Sequence, residues 1–314
     1  MILVVLVNYN STGHTLACVE SLRAHTRPGT AYRVMVVDNA SAPAEREALG
    51  ALAAYPEVEV CYSALNLGFA GGNMLGFRTA TATQRPTHVF LLNNDTLLRT
   101  DCLTELADLL TARPEIGLAA PQMFGPEGQW LESYGFFPTL GDKLLGRGLC
   151  RALGLGYHPP RPARAARQPY PADMVTGAAM FADAELFARI GGLDEQYFLY
   201  CEEEDVAWRV WKAGRQVVVV PGSEFVHLGG RSSQPSFGLL REFYISLAYF
   251  LRKNFNPVHA EAVRWLFVVK LVFRARRGRQ YLRLARFLAQ GAPMSASIRP
   301  TAAGSPAGSQ RSPG

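Results

Sequence analysis

The chain opens on an apolar run, Ile2 to Val7, and turns polar at Asn8-Tyr9-Asn10-Ser11-Thr12-Gly13. Leu16, Val19, Glu20 and Leu22 follow helical spacing, so the pattern predicts a buried strand, a polar loop and a helix. The unit then repeats. Tyr32 to Val37 reads as a strand ending in Asp38-Asn39-Ala40-Ser41, and Ala44 to Tyr55 has helical composition. Val58 to Tyr62 makes a third strand, followed by Asn66-Leu-Gly-Phe-Ala-Gly-Gly-Asn73 and a helix through Arg78. The run from His88 to Leu92 is a fourth, stopping at Asn93-Asn94-Asp95-Thr96 before helical spacing resumes from Leu103 to Leu110. Strands that alternate in this way with loops and helices predict an α/β fold, its central sheet mostly parallel and flanked by helices on both faces. Such sheets bind ligands at the carboxyl ends of their strands, where this chain concentrates its polar groups.

Past Pro121 the pattern loosens into Gly, Pro and aromatic residues, and the Arg-, Ala- and Pro-rich stretch from Arg151 to Pro171 predicts an ill-ordered loop. Regular structure is expected again from Met174 to Phe181, in a helix from Ala184 to Ile190, and in a helix after Glu202-Glu203-Glu204-Asp205 that ends at Gly214. Val217 to Val220 is a further buried strand, with His227 shortly beyond it. Residues 236–255 and 259–289 read as helices separated by Asn256-Pro257, and the Gly/Ser/Pro/Ala tail from Gly291 as disordered. The domain layout expected is thus 1–235 for the catalytic unit, divided near 121 and carrying a flexible loop near 139–171. Residues 236–290 form a helical appendage and 291–314 a tail.

Composition narrows the class. With 314 residues and 48% hydrophobic content, one main domain with an appendage is expected. Five scattered cysteines without C-x-x-C spacing argue for a reducing compartment and against structural zinc. The opening apolar run is too short for a signal-peptide core or a membrane span. The formal charge of +6 is uneven: no Asp or Glu follows Glu261, and residues 262–314 carry ten Arg or Lys. Basicity belongs to the tail, which argues against a nucleic-acid partner for the whole chain.

Asn93 and Asp95 lie two apart on a strand end, where hard oxygen ligands suit a divalent cation holding a diphosphate; a capped turn is the plainer reading. Asp38 can accept the imide N–H of uracil or thymine, or simply form a turn. Gly68, Gly71 and Gly72, flanked by Asn66 and Asn73, let backbone approach a nucleotide, or serve a strand-to-helix turn. The first is favoured. The loop is not the Gly-x-Gly-x-x-Gly fingerprint, and no Gly-Lys-Ser/Thr occurs, so a dinucleotide-binding dehydrogenase and a P-loop enzyme are disfavoured. The four acids from Glu202 to Asp205 suit a helix N-terminus, and could also supply a general base.

Taken in order, Asn8-Tyr-Asn10, Val37-Asp-Asn-Ala-Ser41, Asn66 to Asn73, Leu91-Leu-Asn-Asn-Asp-Thr96, Thr176-Gly177, Gly191-Gly-Leu-Asp194, Tyr197 to Asp205 and His227-Leu-Gly-Gly-Arg-Ser-Ser233 resemble the motifs of family 2 inverting glycosyltransferases. The rhamnosyltransferase-like and galactofuranosyltransferase-like branch is the nearest in pattern, and the likeness covers roughly residues 2–255. It implies a GT-A fold, a dTDP- or UDP-linked sugar donor, a bound Mg²⁺ or Mn²⁺, and a glycan or lipid-linked acceptor. By the same resemblance Asp38 recognises the base, and Asn8, Asn10, Asn66, Asn73 and Asn94 belong to the donor side. Asp95 becomes the principal metal ligand, with Asn93 where the family usually has Asp, and His227 completes the site. Glu203 is the implied base with Glu202 as the alternative register, while Asp205 orients a neighbouring Arg or an acceptor hydroxyl.

A cytoplasmic enzyme is expected, peripheral on the inner face of the membrane if the basic, apolar segment 262–289 lies on lipid; packing on the core or a homodimer contact are the other uses of that segment. A sugar-nucleotide pyrophosphorylase and a non-catalytic nucleotide-sugar binder are the rival functions.

Overall fold

A computed structural model describes residues 1–153, 166–229 and 236–300. The predicted repeat is present as β1 (Ile2–Asn8), α1 (Thr12–His25), β2 (Tyr32–Asn39), α2 (Pro43–Ala48), β3 (Val58–Ser63), α3 (Gly68–Thr81) and β4 (His88–Asn93). The helical stretch after β2 becomes a short α-helix running into a 3₁₀ segment, Leu49–Ala54. All pairings among β1 to β4 are parallel, so the polar residues that end each strand come out on one edge.

Two strands escaped the pattern. β5 (Thr96–Leu98) is too short to show a period, and β6 (Ile116–Phe124) carries the Gly and Pro residues that read as loop. Between them α4 (Cys102–Ala112) is capped by Asp101, whose side chain accepts from the backbone N–H of Thr104 at 3.1 Å. There follow β7 (Tyr134–Gly135), α5 (Leu140–Leu144), α6 (Arg147–Ala152), β8 (Tyr170–Pro171), β9 (Met174–Val175), β10 (Ala179–Asp183), α7 (Ala184–Arg189), α8 (Glu202–Lys212) and β11 (Gln216–His227). Part of the expected flexible loop is therefore helix and strand, and its residues 154–165 lie outside the described ones.

Among the described residues the main sheet runs β3-β2-β1-β4-β10-β6-β11-β5, with β8 beside β11. It is parallel as far as β4 and mixed beyond, because β10 runs antiparallel to both β4 and β6 while β11 runs parallel to β6. The pleat sends alternate residues to two cores. Ile2, Val4, Leu6, Phe90 and Leu92 pack with the α1 and α4 side chains Val19, Leu22, Leu103 and Leu106. Leu3, Val5, Met35, Val37 and Leu91 pack on the other face with residues of α3, α8 and the C-terminal helices.

That C-terminal layer is α9 (Phe237–Asn254), α10 (Pro257–Arg274) and α11 (Arg279–Ala289). The expected single helix over 259–289 is broken, because Gly278 takes φ 155° and lets the chain reverse after a 3₁₀ turn. Contrary to the expected disorder from Gly291, the segment through Pro300 is placed. Ser297 Oγ donates to the buried Glu242 carboxylate at 2.8 Å, and the backbone N–H of Ile298 donates to the other oxygen at 2.9 Å. Residues 301–314 lie outside the described ones.

Candidate active site

The ends of β1, β2 and β4 and the first turn of α3 enclose a cavity of about 480 Å³. Of the residues predicted for donor and metal, Asn66, Gly68, Asn93, Asn94 and Asp95 line it. His227 stands beside it, its Nε2 3.2 Å from Asp95 Oδ1. β11 delivers this histidine by pairing antiparallel to β5, with His227 opposite Thr96. The next residues cross directly over Asp95: the backbone N–H of Leu228 donates to the Asp95 carbonyl at 2.8 Å, and a Cβ at Gly229 would overlap Asp95 Oδ2. A side chain at 229 would therefore displace the Asp95 carboxylate from the position in which it meets His227.

Burial pushes the Asp95 carboxyl up, but the hydrogen bond and charge of His227 outweigh it, and the net shift is below the ordinary range. The group is an anion at neutral pH. A carboxylate and an imidazole so placed, with the Asn93 amide on the same cavity wall, fit Mn²⁺ or Mg²⁺, ions that keep water and phosphate oxygens as further ligands. No third His, Cys, Asp or Glu joins them among the described residues.

Other predicted donor residues support the cavity without reaching it. Asn8 is fully buried, donating toward Asp38 Oδ1 at 3.3 Å and Ser41 Oγ at 3.2 Å, and accepting from Thr15 Oγ1 at 2.9 Å. Asn94 Nδ2 ties in by donating to Ser11 Oγ at 2.7 Å and Thr15 Oγ1 at 2.9 Å. Asn94 Nδ2 also donates to Asn8 Oδ1 at 3.4 Å, so the Asn8 amide links groups at the ends of β1, β2 and β4. Asp38, expected to meet the base, is also fully buried, and its other oxygen accepts from Arg46 Nε at 2.8 Å. Its role in this conformation is to brace the β2 loop. Asn10 is exposed and accepts from the Ala42 N–H at 2.8 Å.

The glycine loop also departs from expectation. Gly68 is at φ 74°, and a Cβ there would overlap the Phe198 carbonyl, which accepts from the Phe69 N–H at 2.8 Å. A Cβ at Gly72 would press on Val7, and one at Gly71 on Leu67. These two glycines seat α3 on its surroundings and do not line the cavity. Asn73 is buried within α3 and donates back to the Phe69 carbonyl at 3.0 Å.

Several cavity residues lay outside the prediction: His14, Asn39, Phe69, Phe198, Leu199, Leu239 and Ile298. Asn39 carried a signal, sitting between Asp38 and the predicted loop; its Nδ2 donates to Asn66 Oδ1 at 3.0 Å and its Oδ1 accepts from the Leu67 N–H at 2.8 Å. Ile298 carried none, since the placed tail brings it from the far end of the chain.

The acids open α8 after two consecutive left-handed residues, Tyr200 at φ 73° and Cys201 at φ 65°. Left-handed non-glycine residues cost about 1–2 kcal/mol each, and the surrounding packing must hold them. Asp205 is fully buried and saturated by Tyr197 Oη at 3.3 Å, Arg209 Nε at 2.8 Å, Lys253 Nζ at 2.9 Å and Asn254 Nδ2 at 3.0 Å. It is paired with Arg209, and its oxygens are taken by these four donors. The other three acids differ. Glu202, Glu203 and Glu204 each have one enclosed oxygen without a hydrogen-bond partner among the described residues. Burial raises all three, most strongly Glu202 and Glu204, where the Glu203 charge adds to the effect. The Glu203 carboxyl lies against Gly177 beside Phe69, the aromatic wall of the cavity.

An α/β sheet whose carboxyl edge carries an acid–imidazole pair beside a half-open cavity is the setting of an enzyme site. Residues 3–190 match Glycosyl transferase family 2, and the chain belongs to that family. It is 28% identical over 241 residues to the N-acetylglucosaminyl-diphospho-decaprenol L-rhamnosyltransferase of Mycobacterium tuberculosis, covering 71% of this chain and 75% of that protein. It is 21% identical to rhamnosyltransferase WbbL of Escherichia coli, over 81% of this chain and 94% of that one. Its fold is shared with the mannosyltransferase PcManGT of Pyrobaculum calidifontis in complex with GDP-Man and Mn²⁺, at TM-score 0.56 and 18% identity over 93% of this chain and 79% of that one. GalNAc-T7 with UDP, GalNAc and Mn²⁺ gives TM-score 0.57 and 15% identity over 79% of this chain, which spans 47% of that structure. The protein is a glycosyltransferase that moves sugar in glycan synthesis.

Proposed function

We propose that the chain transfers a hexosyl or deoxyhexosyl group, rhamnosyl by kinship, from a dTDP- or UDP-linked donor to a hydroxyl of a glycan or lipid-linked glycan, inverting the anomeric centre. The observation that carries this reading is the Asp95–His227 contact of 3.2 Å at the rim of the cavity. A divalent cation held by Asp95, His227 and Asn93 would neutralise charge on the leaving diphosphate. Asn39, Asn66 and Asn94 line the cavity that would take the donor, and Phe69, Phe198, Leu199 and Leu239 would keep water from it. Glu203 takes the proton of the acceptor hydroxyl while that oxygen bonds to the anomeric carbon and the carbon–diphosphate bond breaks on the opposite face. A carboxyl raised by burial is a stronger base than an exposed one, which suits the step. The transfer is assigned to the cytoplasmic side, where nucleotide sugars are made.

The test is calorimetry of dTDP and UDP with Mn²⁺, followed by turnover with a panel of donors. Asp95→Ala should abolish turnover and the metal-dependent part of nucleotide binding, and His227→Ala should weaken both less, because water can fill a vacated ligand position. Unchanged Mn²⁺-dependent affinity in Asp95→Ala would overturn the metal assignment. Tight donor binding with no turnover on any acceptor would favour a binding protein instead.

A further inference from the structure

Helix α10 is apolar on two opposite faces, which one packed layer does not explain. Ala260, Val263, Val268 and Leu271 are buried against the neighbouring helices. Val258, Trp265, Val269, Val272 and Phe273 are exposed, Val258 at 80% and Phe273 at 67%. At 100° per residue these five fall within an arc of roughly 100°, directly opposite the buried face. The arc is a continuous apolar stripe along a helix about 27 Å long. An exposed patch of this kind marks a contact surface.

The charge around the stripe identifies the contact. Lys270, Arg274, Arg276 and Arg277 are exposed at its carboxyl end, and Arg279, Arg283 and Arg286 are exposed on α11. No acid follows Glu261, and Glu261 is paired with Arg264, which is itself anchored to the Leu288 carbonyl at 2.6 Å. A second copy laid on this face would bring its guanidinium groups against these with no free carboxylate in the two helices to separate them. An anionic bilayer meets both requirements, taking apolar side chains into the headgroup boundary and basic ones to the phosphates. The helix lies on the surface without crossing it, since no helix among the described residues is long and apolar enough to span.

We propose that the outer face of α10, rimmed by the cations of its carboxyl end and of α11, docks the enzyme on an anionic lipid surface. The docking stands independently of the transfer chemistry. If both hold, the cleft works beside a lipid-linked acceptor.

The experiment is co-sedimentation of the full chain with vesicles of phosphatidylcholine alone or with phosphatidylglycerol added, at low and high salt. Binding should require phosphatidylglycerol, fall at high salt, and shift Trp265 fluorescence to shorter wavelength. Val269→Glu with Phe273→Glu should lower the partition coefficient at least about tenfold. Arg276→Gln with Arg277→Gln should lower it roughly 25-fold at low salt, about fivefold for each cation lost. Circular dichroism and donor binding should be unchanged in both variants, which separates loss of docking from loss of fold or of the transferase reading. No sedimentation of the wild type, equal sedimentation with neutral vesicles, or wild-type sedimentation by both variants would overturn the proposal. So would a concentration-dependent dimer abolished by the Val269/Phe273 variant, which would assign the face to a second copy.

Discussion

Four acids in a row begin α8, and the fold treats them in two opposite ways. Asp205 sits one position deeper in the turn, where Tyr197, Arg209, Lys253 and Asn254 saturate it, so its charge is part of the framework joining α8 to α9. Glu202, Glu203 and Glu204 enter the same low-dielectric region with no ion pair to a cation among the described residues, and burial raises all three. Similar chemistry thus serves structure where it is paired and gains proton affinity where it is buried without compensation. The left-handed pair Tyr200–Cys201 starts the helix abruptly, and of its four acids Asp205 is the one that meets Lys253 and Asn254 of α9. A buried acid with raised proton affinity, beside a cavity, is where proton transfer is expected.

The largest effect should come from the paired acid. Asp205→Ala leaves Arg209 and Lys253 without their shared carboxylate and should lower stability by about 3–5 kcal/mol, read by urea denaturation. An effect under about 1 kcal/mol would mean that the framework role is wrong. Glu203→Gln should keep the fold and donor affinity while lowering turnover at least ~100-fold, about 2.7 kcal/mol in barrier. A mild effect there with a large one in Glu202→Gln would move the base by one residue.

Glu202→Gln should act on stability in the opposite sense to Asp205→Ala. Its folded pKa lies above the unfolded value, so the favourable contribution of the protonated acid is full below the unfolded pKa and is lost as pH rises through the folded one. The variant should therefore be more stable than the wild type by about 1–3 kcal/mol at about pH 8 and nearly equal to it at about pH 4. Thermal scans at the two values check this, and a gain confined to acid pH would contradict it. The smallest effect belongs to a fourth acid, Glu242, which is buried but satisfied by the tail. Ser297→Ala removes one of its two hydrogen bonds and should cost about 1 kcal/mol. Loss of far more would show that the tail closes the cavity wall through Ile298 as a cooperative unit.

Legibility followed the range of the interactions. Strands β1 to β4, the helices between them and the polar strand ends were readable because hydrophobic period and turn chemistry are local properties. β5 and β6 were not, because one is only three residues long and the other holds Gly117 and Pro121 inside a strand covered on both faces. In the site, Asp95 and His227 could be paired through motif order. Which amides line the cavity could not be read, since Asn66 and Asn73 look alike along the chain and differ only in that Asn66 precedes α3 at the cavity while Asn73 folds back on the first turn of the helix.

The amino-acid sequence by itself determined the alternating α/β architecture, the strand-end position of the chemistry, the acidic turn of α8 and the uneven basicity of the last helices. Each is a pattern within a few residues, or a sum over them. The tertiary structure alone decided that Asn8 and Asp38 brace the strand ends from behind and that Gly229 lies against Asp95, more than a hundred positions earlier in the chain. It also decided that Ile298 closes the cavity and that α10 turns a second apolar face outward. These are outcomes of contact between distant segments, and burial, partner and available space exist for a side chain only once those segments have met.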